Sequence, residues 1–108
     1  MKLSVIIPTH CRPVLLQRLL SSIEMQDLPV DQFEVIIVSN IDEDFFSTNR
    51  FKFWKEKFQL TYCVAGRRGA NKARNIGIQK ASGEIILLLD DDCVLLQKNY
   101  FSEILICS

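Results

Sequence analysis

Along this chain, short unbroken apolar runs alternate with longer stretches in which apolar residues recur every three or four positions. "KLSVIIP" is a β-branched run closed by a proline and predicts a buried strand. In the next segment Leu15, Leu16, Leu19, Leu20 and Ile23 fall at helical spacing, with Pro13 suited to the first helical position. After the turn residues "DLPVD", "FEVIIVS" predicts a second strand, apolar enough to be covered on both faces. Phe51, Trp54 and Phe58 then share one face of a helix expected to start near Ser47 or Thr48. "LTYCVAG" predicts a third strand, short enough for an edge. Ala70, Ala73, Gly77 and Ala81 give the following helix a face of small residues, which lets it approach a sheet closely before Gly83 stops it. "EIILLLD" is the fourth predicted strand. Asn99 is placed to cap a last helix with Phe101, Ile104 and Leu105 facing inward.

Repeated strand and helix alternation predicts an α/β fold: a three-layer α/β/α, Rossmann-like sheet, mostly parallel. With 108 residues there is room for one domain. The terminal "FSEILICS" is an apolar run with no glycine or polar turn to finish it, so a truncated domain, continuing in a longer chain, is the expectation.

Composition narrows the function classes. At 48% hydrophobic and 24% charged residues the chain is set to fold rather than to remain disordered. Thirteen basic and thirteen acidic residues balance, so no global field draws it to nucleic acid or an anionic membrane, and any electrostatic function is local. The apolar run after Lys2 is too short for a signal-peptide core or a membrane span, which leads to the expectation of a cytoplasmic protein without a transmembrane segment. Cys11, Cys63, Cys93 and Cys107 contain no C-x-x-C pair. Reduced, partly buried thiols are expected, a thiolate metal site from His10, Cys11 and Cys93 being the sharper but unsupported alternative.

In a parallel sheet the loops after the strands' carboxyl ends share one edge, where ligands bind. That edge collects "PTHCR", "SNIDED", "AGRRGANKARN" and "DDDC". Residues alternate along an extended segment, so Asp90 and Asp92 point one way and Asp91 the other. Two carboxylates suit a hard cation such as Mg²⁺ or Mn²⁺ whose shell is completed by water and phosphate oxygens, whereas a plain reading is a solvated acidic turn. Arg67, Arg68, Lys72 and Arg74 gather at a loop and helix start, where the free N–H groups and the helix dipole already favour phosphate. Arg74 stands out because it lies beside the small-residue face. For Arg67 and Arg68 taken singly, an ordinary basic loop is the better reading. Without interleaved aromatics, the patch does not predict RNA binding. His10 offers a flat ring for stacking on a base, Ser39 and Asn40 offer hydrogen-bonding groups, and Asp42 and Asp44 read as turn formers.

Taken in order, "SVIIPTHCR", "FEVIIVS" and "GANKARNIGIQKASGEIILLLDDD" resemble the amino-terminal, nucleotide-binding half of the family 2 inverting glycosyltransferases of GT-A fold. The matching elements are the opening strand with its P-T-x-x-R turn, the second strand, and the A-R-N-x-G segment leading to the D-x-D motif. The resemblance implies that Pro8, Thr9 and His10 flank a nucleobase, with Arg12 in the same turn. It further implies that Arg74, with Lys72 and Asn75 beside it, lies by the base or phosphates, and that Asp90 and Asp91 approach the ribose. Asp92, with Asp90 sharing the task, would hold a divalent metal bridging the diphosphate. The implied partner is a nucleotide-diphospho-sugar, and the acceptor is unspecified. Two positions depart from the family pattern: the usual V-D-D-G-S after the second strand is Val38, Ser39, Asn40, Ile41 and Asp42 here, and the aromatic of the first turn is His10. The family's catalytic base and acceptor-binding elements lie in its carboxyl-terminal half, so no catalytic base is expected within these residues. Rival readings are a Mg²⁺-binding receiver module, which wants acids after the first strand where Thr9 and His10 stand, and an inactive fragment. A dinucleotide-dependent oxidoreductase wants a G-x-G-x-x-G that is absent.

Overall fold

The computed structural model describes residues 2–9, 13–39, 48–65 and 70–107. Its elements run β1 (Leu3–Thr9), α1 (Pro13–Glu24), a 3-10 turn (Val30–Gln32), β2 (Phe33–Ser39), α2 (Thr48–Lys55), β3 (Gln59–Val64), α3 (Ala70–Lys80), β4 (Ile85–Leu88) and α4 (Tyr100–Cys107). The four strands form one parallel sheet in the order β3-β2-β1-β4, so β1 and β2 are central and β3 is an edge. Every residue of β1 and β2 is buried, as their continuous apolar runs require.

The period of two sorts the side chains into two layers. Leu3, Val5 and Ile7 of β1 and Phe33, Val35 and Ile37 of β2 face α1, α2 and α4, where they pack with Leu16, Leu20, Ile23, Trp54, Phe58 and Phe101. Ile6, Ile36 and Val38 face the other way, onto Ala73 and Ile76 of α3. The three-layer expectation therefore holds. The small-residue face of α3 explains how closely the second layer packs: a Cβ on Gly77 would stand 2.4 Å from Ile6 Cγ2. At Gly83 a Cβ would meet the backbone of Leu3 and Ser4, at 2.8 and 2.7 Å, so the turn into β4 lies directly on β1.

β4 is shorter than predicted, and its burial alternates instead of being continuous. Ile86 and Leu88 are 42% and 44% exposed because β4 is the other edge strand and α3 packs over β1 and β2. Its early end follows from Pro8. The amides of Ile85 and Leu89 donate to the carbonyls of Lys2 and Ile6, so even-numbered residues of β1 turn their backbone groups toward β4. The next even residue is a proline with no N–H to give, and the ladder stops.

At the strands' amino ends Glu34 closes a polar cluster. Its Oε2 accepts from Ser4 Oγ at 2.6 Å and from Ser82 N and Oγ, both at 2.7 Å, while Ser4 Oγ accepts from Gly83 N at 2.8 Å. Burial alone would raise this carboxyl's pKa. The hydrogen bonds from Ser4, Ser82 and Gly83 outweigh it and hold the group below its ordinary value. The segment from Cys93 to Lys98 is tied back to α1 and the turn after it: Gln26 Nε2 donates to Gln97 O at 2.7 Å and Ser22 Oγ accepts from Leu95 N at 3.1 Å. Gln26 Oε1 also accepts from Phe101 N at 2.9 Å, satisfying a donor in the first turn of α4. Asn99 precedes α4 as predicted, but its side chain reaches Glu103 Oε1, at 3.4 Å.

Candidate active site at the carboxyl edge

In an open parallel sheet the ligand crevice lies where successive connections leave in opposite directions. In the order β3-β2-β1-β4 the chain moves outward from β1 through β2 to β3, then returns through α3 to the far side of β1, so the crevice opens between the carboxyl ends of β1 and β4. These ends carry Pro8 and Thr9 on one side and the three aspartates on the other.

Across this crevice Thr9 Oγ1 donates to Asp91 Oδ2 at 2.9 Å, both residues being buried. Asp90 and Asp92 are exposed, and the turn that carries them is closed by Cys93 N donating to Asp90 O at 3.1 Å. Ile85, Leu87 and Leu89 turn toward the α1 layer, Ile86, Leu88 and Asp90 are exposed, and Asp91 in the turn is buried again. Two acids are left facing solvent and the third is paired within the protein.

Lys72, Arg74 and Asn75 lie in the first half of α3, the helix that follows β3 and so begins on the same carboxyl side. Lys72 and Arg74 are partly buried and Asn75 is exposed. Ser39 ends β2 fully buried, and its carbonyl accepts from Ala65 N at 2.7 Å. Pro8 is likewise buried. His10, Cys11, Arg12, Asn40, Asp42, Asp44, Arg67 and Arg68 lie outside the described residues. Among the described residues no group of three or more His, Cys, Asp or Glu side chains converges on one point. Cys93 and Cys63 are partly buried and free of disulfides; burial pushes the Cys63 thiol up, against a smaller opposing effect of Lys80. No helix among the described residues is long and apolar enough to cross a membrane.

Two features of this edge escape a reading of the sequence. Pro8 signals the end of a strand, but only the pairing shows that the missing N–H faces β4. Gln26 carries no motif at all, yet it anchors the segment that comes after the acids.

A parallel α/β sheet with a polar crevice at its switch point, Pro8 and Thr9 on one wall and three aspartates on the other, defines a Rossmann-like α/β domain of the type that binds ligands at this edge. The family model described as glycosyl transferase family 2 matches residues 4–105, and the chain belongs to that family. It is 32% identical over 94 residues to the poly(ribitol-phosphate) beta-N-acetylglucosaminyltransferase TarS of Staphylococcus aureus, a match covering 85% of this chain and 16% of that protein. Over 97 residues it is 35% identical to the GalNAc(5)-diNAcBac-PP-undecaprenol beta-1,3-glucosyltransferase of Campylobacter jejuni, covering 88% of this chain and 31% of the relative. In structure it matches residues 1–349 of S. aureus TarS in complex with UDP-GlcNAc, with a TM-score of 0.85 and 29% identity over 96% of this chain and 30% of that one. A mannosyltransferase from Pyrobaculum calidifontis, in complex with GDP-Man and Mn²⁺, matches with a TM-score of 0.82 and 28% identity over 94% of this chain and 30% of that one. The GT-A-like fold expected from the sequence is the one observed, and the chain spans a third or less of these relatives.

Proposed function

We propose that this domain is the donor-binding portion of an enzyme that moves a sugar from a nucleotide-diphospho-sugar to an acceptor hydroxyl, with inversion and with a divalent metal. The observation that carries the reading is the sorting of the three aspartates. Asp90 and Asp92 are left exposed at the switch point, while Asp91 between them is buried and bonded to Thr9.

Two exposed carboxylates fit Mg²⁺ or Mn²⁺, which take few protein ligands and fill their shell with water and phosphate oxygens. Asp92, with Asp90, is assigned to that ion; bound there, it would neutralise charge on the departing diphosphate. Lys72 and Arg74 supply positive charge at the start of α3, where the helix's free N–H groups already favour phosphate, and Asn75 adds a hydrogen-bonding side chain. Pro8, with His10, Arg12, Ser39 and Asn40 in the adjoining segments, is assigned to the nucleobase side. In the reaction the acceptor oxygen attacks the anomeric carbon, the bond to the diphosphate breaks, and the electron pair leaves on the phosphate oxygen. The hydroxyl's proton goes to a base that none of these residues supplies. The UDP-GlcNAc and GDP-Man complexes of the structural relatives support the donor class.

Calorimetric titration with UDP, GDP and their sugars, with and without Mn²⁺, tests the reading. Metal-dependent binding of at least one nucleotide diphosphate is expected, weakened in Asp92→Ala by about 1–3 kcal/mol, the scale of a lost charged contact. A folded chain that binds none of them in a metal-dependent way would remove the donor-site assignment.

A further inference from the structure

From the way β1 and β4 part, we infer that Thr9 is a positioning residue whose hydroxyl holds the acidic turn in place. The role in donor binding rests on the proposed function; the role in ordering the turn does not. Backbone pairing between the two strands ends at Ile6 and Leu89, because Pro8 has no N–H to continue it. The ladder pairs Leu3 with Ile85 and Ile6 with Leu88, an offset that Thr9 and Asp91 repeat three places further on. Their side chains thus continue the register after the backbone has stopped, through a hydroxyl-to-carboxylate bond in a site where Thr9 is 1% and Asp91 4% exposed.

Charge makes this bond necessary. Three adjacent carboxylates repel one another, and beyond the end of the ladder the Asp90–Cys93 turn is closed by the bond from Cys93 N to Asp90 O. With the middle acid anchored inward, Asp90 and Asp92 on either side of it are the ones left exposed. The pair is buried, and a hydrogen bond shielded from solvent is electrostatically stronger than one in water. Asp91, expected from the family resemblance to approach a ribose, is in this arrangement the buttress of its neighbours. Thr9, expected at the nucleobase, acts through Asp91.

The test uses Thr9→Val, which keeps shape and removes the hydroxyl, and Thr9→Ser, which keeps the hydroxyl. Hydrogen exchange of the Cys93 amide, which closes the turn, should rise about tenfold in Thr9→Val and stay within about threefold of native in Thr9→Ser, while exchange in α1 and β2 is unchanged. Mn²⁺-dependent UDP or GDP affinity should fall about fivefold or more in Thr9→Val and be retained in Thr9→Ser. Native-like exchange in Thr9→Val overturns the inference, and so does tenfold faster exchange in Thr9→Ser, which decides the matter should the valine variant fail to fold. Faster exchange in Thr9→Val with unaltered affinity overturns the link to donor binding. If the native chain binds no nucleotide with Mn²⁺ while the exchange pattern holds, the donor-site reading falls and the ordering role of Thr9 stands.

Discussion

Gly77→Ala probes the contact that joins the basic helix to the strand carrying Thr9. The added methyl would sit 2.4 Å from Ile6 Cγ2 and 3.3 Å from Cγ1. Carbon atoms pack best at about 3.5–4.0 Å, so the first contact is short by roughly 1 to 1.5 Å. Ile6 is fully buried and β-branched, with few rotamers to escape into, so α3 must lift from the sheet. Overpacking of this kind costs about 1–3 kcal/mol, and alanine returns about 1 kcal/mol through its better helix propensity. The net expectation is a loss of about 1 kcal/mol, read by urea denaturation and as a fall in melting temperature of about 4–8 °C. A double-mutant cycle sharpens the test. Ile6→Ala alone should cost about 2–5 kcal/mol by leaving a cavity, and adding Gly77→Ala should cost less in that background because the new methyl enters the hole. A Gly77→Ala protein at least as stable as the native one, with additive effects in the cycle, would refute the close approach of α3 to β1.

Two further outcomes concern the polar anchors. Glu34→Gln keeps an acceptor but loses the charge, and should destabilise the protein by about 1–3 kcal/mol at neutral pH. Because the folded carboxyl's pKa lies below its unfolded value, this stabilisation is complete above the unfolded pKa and is lost as pH falls through the folded one. Urea titrations should therefore show native and Glu34→Gln converging toward acid pH, and a gap independent of pH would contradict the assignment. Gln26→Ala strips partners from Phe101 N and Gln97 O, with an expected loss of about 2–4 kcal/mol and faster exchange of the Phe101 amide; an unchanged melting temperature would rule out the anchor.

The sequence is most readable where one period serves both local and tertiary structure. β1, β2 and α1 were visible because their apolar runs match the faces they bury, and Pro13 marks the start of α1 within one residue. It is least readable where the decisive partner is remote. Ile86 and Leu88 belong to an apolar run that could sit in any strand; only the order β3-β2-β1-β4 shows them at an edge. Glu34 reads as a polar interruption of a core strand, and only the folded chain brings Ser4 and Ser82 to it. At the acids, periodicity foretold that the middle residue faces away from its neighbours. It could not foretell that Thr9, 82 residues earlier, would be waiting there.

The two ends of this sheet show how an acid can be assigned to structure or to chemistry. At the amino ends the Glu34 carboxylate takes three donors on one oxygen, all from the protein, in a buried pocket. A ligand there would have to displace hydrogen bonds already made, each costly to leave unmatched. At the carboxyl edge the same rule separates Asp91, engaged and buried, from Asp90 and Asp92, whose exposure leaves their oxygens accessible. Three adjacent like charges are tolerable on one strand tip when one is absorbed by the fold and the others reach water. On the proposed function, it is the two exposed carboxylates, engaged in none of the fold's own bonds described above, that would meet a cation shared with a diphosphate.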